Sequence, residues 1–555
     1  ADSHIATTEI QALAAGANLS LADGSLEDWS TLLSGLNSCA RSILELPDYV
    51  PAVDLNLYPR TGIHRPSSSS SSLSGEGSQQ DETDKGGWAW KATVRATKPS
   101  SDLLKGVRLA VKDNIAVAGV TCTNGTDAVP DWIPDVDASI VKRVLDAGAV
   151  ILGKAACENN CFGAVSDTSV TGPVHNPYAD GYSTGGSSSG CGRLVATGSV
   201  DMALGADQGG SIRLPSAHCG LVGLKPTWGL VPYTGCISLE ATIDHVGPMT
   251  RTVQECATLL EVIAGSDGID DRQPYDWPIG KVPFGTEIRT HLSTTSDSLP
   301  LKGLRVGVLQ ESFDDALMND AVAQACHAAI AGLARLGAAV SPVSIPLHRE
   351  SGMIWMVALP MAGTTQGLLA SPTGRKQLLF GERSARVGGP QLSQAAFDAL
   401  GPGGQNIYLR GLFLSQRYGA PLHARCTNLL RKLSDAYDAA LAGVDVLVTP
   451  TIVYPAGKIV AEGNPGKKLG VLKMLSRTVG ATYNTATFNS TGHPGLNLPV
   501  GFVPAADDET GQVWLPTGLQ IVGRKFEDLT CLKVAASWEK DNDWKTLRFS
   551  GEEKA

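Results

Sequence analysis

The chain has no run of about 18 apolar residues, so no transmembrane helix is expected. It has no C-x-x-C pair, and its 11 cysteines are odd in number and scattered. That argues against a disulfide scaffold in a chain this long. Cys157 and Cys161 lie four apart, a spacing that can put two ligands on one helix face. Without a second half, the pair reads as packing rather than zinc. Positive charge is not in excess: 45 Lys and Arg face 55 Asp and Glu, for a net charge of −10. Nothing therefore calls for nucleic acid or an anionic membrane as partner. No G-K-[ST] follows the glycine-rich stretches, so a phosphate cradle is not indicated. The opening residues, Ala1-Asp2-Ser3-His4, show no basic region and no apolar core. The expectation is a cytoplasmic chain without a signal peptide.

What is present is a large soluble core. The 555 residues are 43% hydrophobic and 18% charged, enough for two or three ordinary domains or one large one. Residues 1–65 read as a helical N-terminal arm, with Leu26, Trp29, Leu32, Leu33, Leu36, Ala40, Ile43 and Leu44 at near-helical spacing. Residues 66–86, serine-rich and acidic, cannot bury enough apolar surface to offset ordering and read as a flexible loop. From there the pattern is α/β. Val107–Val111, Ala149–Leu152, Leu304–Leu309, Ala338–Ile345 and Val444–Val448 read as strands. Ala138–Ala147, Asn319–Leu336 and Pro421–Leu441 read as helices between them, and the chain closes on a helix from about Asp528 to Glu539. Residues 87–349 and 421–555 form the two parts of this core. Residues 350–420 have no clear period and read as a small cap or insertion.

Glycine is abundant, at 62 residues, and clusters between Gly185 and Ser211. That stretch opens on Gly185-Gly186-Ser187-Ser188-Ser189-Gly190 and closes on Gln208-Gly209-Gly210-Ser211. Glycine flanks of this kind allow sharp bends and close approach to a ligand. Gly186–Gly190 also satisfies G-x-S-x-G, with Ser188 as nucleophile, but the preceding residues 178–184 are polar and turn-like where that motif needs a buried strand. Ser139-Ile140-Val141-Lys142 satisfies S-x-x-K on what reads as an amphipathic helix with Lys142 outward. A third reading joins Lys112, Ser187 and Ser211. A serine hydroxyl needs a base to become a nucleophile. A lysine serves only when neutral, and burial disfavours the ammonium. Lys112 follows the apolar run Leu109–Val111, at the edge of a core.

The joint pattern resembles the amidase signature family, and the stretch Asp207–Gly235 with Thr242–Arg251 looks most like its nitrile-pathway amidases. The resemblance rests on Val111-Lys112-Asp113-Asn114, on Ser183–Gly190 and on Gly205–Pro215. It extends to Gly223–Thr227, Asp244–Pro248, Leu447–Thr451, Asn489–Pro494 and Pro516–Gln520. The separations agree too, with 75 residues from Lys112 to Ser187 and 24 from Ser187 to Ser211.

The resemblance implies an α/β fold: a mixed central β-sheet sandwiched by α-helices. It implies Ser211 as nucleophile, Ser187 as a bridging serine after a cis peptide at Gly186, and Lys112 as general base. Gln208, Gly209, Gly210 and Ser211 are then the oxyanion loop. Thr184, Gly186, Ser189, Asp207 and Arg213 support it, with Asp207 and Arg213 able to pair and substrate-carboxylate binding the alternative role for Arg213. His245 and His493 are left to structural hydrogen bonds. Trp228 and Tyr233 are candidates for either pocket or core, and specificity is expected in residues 350–420 and near Asn484. The implied activity is hydrolysis of a small carboxamide to acid and ammonia through an acyl-enzyme, without metal or cofactor. The implied partners are a small-molecule amide and a second copy of the chain in a homodimer, with no nucleic acid and no membrane. Carbamate or anilide cleavage would use the same residues. An amidotransferase component freeing ammonia from glutamine is a second enzyme reading, and an inactive scaffold a third.

Overall fold

Strand β3 (Arg108–Lys112) shows how the sheet is made. Leu109 and Val111 enter one apolar cluster, and Ala110 enters another on the opposite face. Strand β5 (Met202–Asp207) repeats the pattern, with Leu204 and Ala206 on one side and Ala203 on the other. This is the two-residue period of a strand covered on both faces. Each fully buried Leu, Val or Ile contributes on the order of 1.5–3 kcal/mol.

The computed structural model describes residues 4–22, 24–66, 84–273, 282–294, 299–314, 316–371, 373, 375, 378–387, 389, 391–460 and 471–551. Most of the serine-rich loop expected at 66–86 lies outside them. Two compact units are present, Ala1–Ala52 and Val53–Ala555. In the first, helices Thr7–Gly16 and Leu26–Glu45 pack on each other. Ile5 N donates to Ser34 Oγ at 2.8 Å, and Ser30 Oγ donates to Ile5 O at 2.6 Å.

The second unit holds one mixed sheet. Besides β3 and β5 it contains β1 (Arg60–His64), β2 (Trp88–Arg95), β4 (Val150–Ala155), β6 (Val222–Lys225) and β7 (His245–Thr250). It continues with β8 (Arg305–Leu309), β9 (Ala339–Val343), β10 (Val446–Pro450), β11 (Gly495–Pro504) and β12 (Trp514–Gly523). The order is β1-β2-β4-β3-β5-β7-β6-β11-β12-β10-β8-β9. Strands β4, β3 and β5 run parallel, as do β10, β8 and β9; the remaining pairs are antiparallel. Residues 60–64, counted with the arm from the sequence, are thus the sheet's edge strand.

Helices cover both faces. Ser139–Asp146, Val253–Ile263, Asp320–Arg335 and Asp528–Asp541 bury their apolar sides in the larger cluster. Their ends are set by local chemistry. Asn319 accepts from the N–H groups of Ala321 and Val322, and Thr252 forms a capping box with Glu255. Ser189–Ala196 lies on the other face, against Ala110, Ala203 and Met249.

Much of residues 350–420 proves helical among the described residues. His348–Ala362 carries Pro360 and ends in a wide turn, and Gly381–Val387, Gln394–Ala399 and Pro402–Arg417 follow. These helices belong to the second unit. Leu359, Ile407 and Tyr408 pack with Cys161, Phe162, Leu239 and Ile243 in a separate apolar cluster. No helix among the described residues is long and apolar enough to cross a membrane.

Candidate active site

Lys112 ends β3 with its side chain fully buried. Its Nζ donates to Ser187 Oγ at 2.8 Å and to Ala206 O at 3.3 Å. The neighbouring buried lysine, Lys154 on β4, is engaged elsewhere, 3.0 Å from Asp113 Oδ1. The peptide bond between Gly186 and Ser187 is cis. The hydrogen bond joins Lys112 and Ser187 across a sequence separation of 75.

Ser211 lies on the loop that leaves β5. Asp207, the last residue of that strand, shapes the loop from inside. Its Oδ1 accepts from Gly210 N at 2.7 Å, and its Oδ2 accepts from Ile212 N at 3.0 Å. Arg213 returns to the same carboxylate through Nε at 3.0 Å and Nη2 at 2.9 Å. Both side chains are fully buried. Burial alone would push the Asp207 carboxyl up, but the Arg213 charge and hydrogen bonds hold it well below the usual carboxylate range.

The rest of the Arg213 fork reaches the C-terminal half of the chain. It donates to Thr485 O at 3.0 Å, Gln520 Oε1 at 2.7 Å and Asn489 Oδ1 at 2.6 Å. Asn489 Nδ2 donates back to Asp207 O at 2.9 Å. The pairing of Asp207 with Arg213 was expected; the clamp on residues 485–520 was not.

The loop needs its glycines. Gly210 has φ +136°, and a Cβ there would lie 2.5 Å from Thr485 Oγ1. A Cβ at Gly209 would lie 2.7 Å from Trp355 Cζ2. Of the four expected oxyanion donors, Gly210 N–H is taken by Asp207. The N–H groups of Gly209 and Ser211 bond to nothing among the described residues.

Ser211, Gln208, Gly209 and Gly186 line a cavity of about 720 Å³. Apolar side chains form most of its wall, including Phe162, Leu239, Trp355, Met356, Leu359 and Ile407. Residues 350–420 contribute Trp355, Met356, Leu359 and Ile407 to that wall, whereas Asn484 is buried, bonded to His348 and Ser312. Neither Trp228 nor Tyr233 lines the cavity. Tyr233 instead accepts from Gln208 Nε2 at 2.9 Å.

The other expected residues are braces. Thr184 Oγ1 donates to Gly185 O and Ser189 Oγ to Ala156 O. Ser188 donates its hydroxyl to Ala206 O at 3.1 Å, away from the cavity. His245 bonds Ile243 O through Nδ1, and His493 lies 3.0 Å from Asp438. Burial holds both imidazoles below their ordinary pKa, and neither lines the cavity. Lys142 pairs with Asp146 on an exposed helix face, which removes it from any serine.

Two further residues stand at the site: Cys161, read from the sequence as packing, and Glu158, not singled out there. Cys161 lines the cavity, and its thiol donates to Asn124 Oδ1 at 3.3 Å. Hydrogen bonding to Cys157 comes first among the influences that hold the Cys161 thiol below its ordinary value. Glu158 is fully buried, and its backbone N donates to Ser187 O at 3.2 Å. Burial pushes its carboxyl up to about 8.

A family model described as Amidase matches residues 87–532. An enantioselective amidase of Rhodococcus rhodochrous is 39% identical over 459 residues, or 81% of this chain and 82% of that protein. A glutamyl-tRNA(Gln) amidotransferase subunit from Methanosarcina barkeri is 33% identical over 448 residues, or 80% of this chain and 86% of that one. Among solved structures, the native peptide amidase of Stenotrophomonas maltophilia is 28% identical. It aligns with a TM-score of 0.59 over 79% of this chain and 83% of its own.

Proposed function

Because the chain belongs to the Amidase family and is an amide-hydrolysing enzyme, we propose that Ser211 is its nucleophile and that Lys112 acts on it through Ser187. One observation carries the reading: a buried lysine 2.8 Å from a buried serine hydroxyl, beside a cavity whose wall includes a second serine, Ser211, with its own N–H and that of Gly209 open. In its neutral form Lys112 accepts the Ser187 proton while Ser187 accepts that of Ser211. Ser211 Oγ then adds to the amide carbonyl carbon. The negative charge on the carbonyl oxygen is met by the N–H groups of Gly209 and Ser211, joined by Gln208. Ser187 passes its proton to the leaving nitrogen, the C–N bond breaks, and ammonia departs. Water enters by the reverse relay and releases the carboxylic acid. The chemistry asks for no group beyond these side chains and the loop backbone.

A small carboxamide is the substrate class this reading favours. The higher identity to the enantioselective amidase supports it over ammonia release from glutamine within a larger complex. The test is ammonia release from a panel of amides by wild type, Ser211→Ala and Lys112→Ala. Ser211→Ala loses on the order of a thousandfold or more in kcat. Lys112→Ala loses about a hundredfold or more, with the loss in the acylation step. Wild-type turnover by Ser211→Ala would falsify the assignment.

A further inference from the structure

Three arginines line the cavity: Arg349, Arg410 and Arg477. Two are already neutralised. Arg349 pairs with Asp314 and lies 4.0 Å from Glu311, and Arg477 pairs with Asp167 at 2.6 Å. Arg410 is different. Its Nη2 donates to Met356 O at 2.6 Å, and no carboxylate lies within ion-pair distance among the described residues. It is half-buried, and burial holds its guanidinium below the ordinary value, with no acid opposing the shift.

A guanidinium carries five N–H donors in a fixed fork that fits a carboxylate with two parallel bonds. A charge withdrawn from water without a counter-charge is costly, and a ligand that supplies one relieves the cost. Position suggests which part of a ligand that is. Met356, which anchors Arg410, follows Trp355 in the chain, and the Trp355 ring rests against Gly209, two residues before Ser211. Gly209, Trp355 and Met356 line the same cavity as Ser211 and Arg410.

Resting on the amidase reading, we propose that the substrate's acyl group ends in a carboxylate that Arg410 receives. The class is the half-amide of a dicarboxylic acid, with its carboxamide at Ser211 and its apolar chain along Trp355 and Met356. The reaction adds water across the C–N bond, giving the dicarboxylate and ammonium.

The test compares half-amides of increasing chain length with neutral primary amides of the same length. Wild type is expected to show kcat/KM at least about tenfold higher for the charged member at the best length, the scale of a charge-assisted hydrogen bond. In Arg410→Gln that ratio falls to near one, mostly through KM, and Arg410→Lys restores part of it. The ratio within one variant is unaffected by a change in the amount folded. A wild type indifferent to the charge, or preferring the neutral amide, overturns the inference and leaves the amidase reading standing. So does a ratio unchanged in Arg410→Gln. Ammonia from neither series overturns both.

Discussion

Replacing Glu158 by glutamine should make the protein more stable, and only at one end of the pH range. Glu158 Oε2 accepts from Thr168 N at 3.2 Å and Thr168 Oγ1 at 2.6 Å, while Oε1 has no partner among the described residues. Glutamine keeps an acceptor for Thr168 and places its amide nitrogen where a carboxylic O–H would stand. The folded carboxyl titrates at about 8 against 4.5 in the unfolded chain. Below pH 4.5 both states hold the proton, and the group contributes no pH dependence. Above it the unfolded chain releases a proton that the folded one keeps. Stability therefore falls by about 1.4 kcal/mol per pH unit until the folded pKa is passed. By pH 7 the accumulated loss is about 3 kcal/mol. Glutamine does not titrate, so the variant escapes it. In a unit of this size that is roughly 3 °C in Tm.

Asp244 and Glu539, each pushed by burial up to about 7, add to the wild-type slope. The quantity to measure is thus the difference between variant and wild type in thermal unfolding from pH 5 to 9. It should be near zero at the acid end, widen through neutrality and level off above pH 8. A difference that stays flat with pH refutes the reasoning, whatever its size.

Asp207→Ala leaves Arg213 buried without its counter-charge, and the expected cost is about 3–5 kcal/mol in denaturant unfolding. The same change frees Gly210 N–H, so folded protein recovered at low temperature should also hydrolyse amides poorly. A small thiol alkylating reagent should inactivate the enzyme at neutral pH by modifying Cys161. Substrate should slow the reaction, and peptide mapping should find the label at Cys161 ahead of the other buried cysteines. Labelling elsewhere with equal loss of activity would refute that placement.

The α/β core was legible because its strands and helices carry strong periods. The strands expected at Val107–Val111 and Leu304–Leu309, and the helix at Asn319–Leu336, match those observed to within a residue or two at each end. The helices of residues 350–420 were not legible. Along His348–Ala362, Met353 and Met356 are exposed while Ile354 and Leu359 are buried, so the apolar residues do not mark one face. Lys112, Ser187 and Ser211 could be singled out because their surroundings recur as a recognisable pattern. The Arg213 clamp could not, since it joins positions up to 307 residues apart through side chains that have no local signature. Cys161 did leave a trace, in its spacing from Cys157, but spacing cannot reveal that Cys161 lines the same cavity as Ser211. Glu158 left none: its raised pKa comes from packing that closes over it only in the folded chain.

The Arg213 fork also bears on when activity begins. A nascent polypeptide leaves the ribosome with Ser211 exposed long before Asn489 and Gln520 have been translated. Until those partners arrive, three of the bonds that fix the guanidinium are unmade, and the strand neighbours β11 and β12 do not exist. The newborn chain is therefore expected to lack the clamped loop that carries Ser211 until Asn489 and Gln520 have emerged.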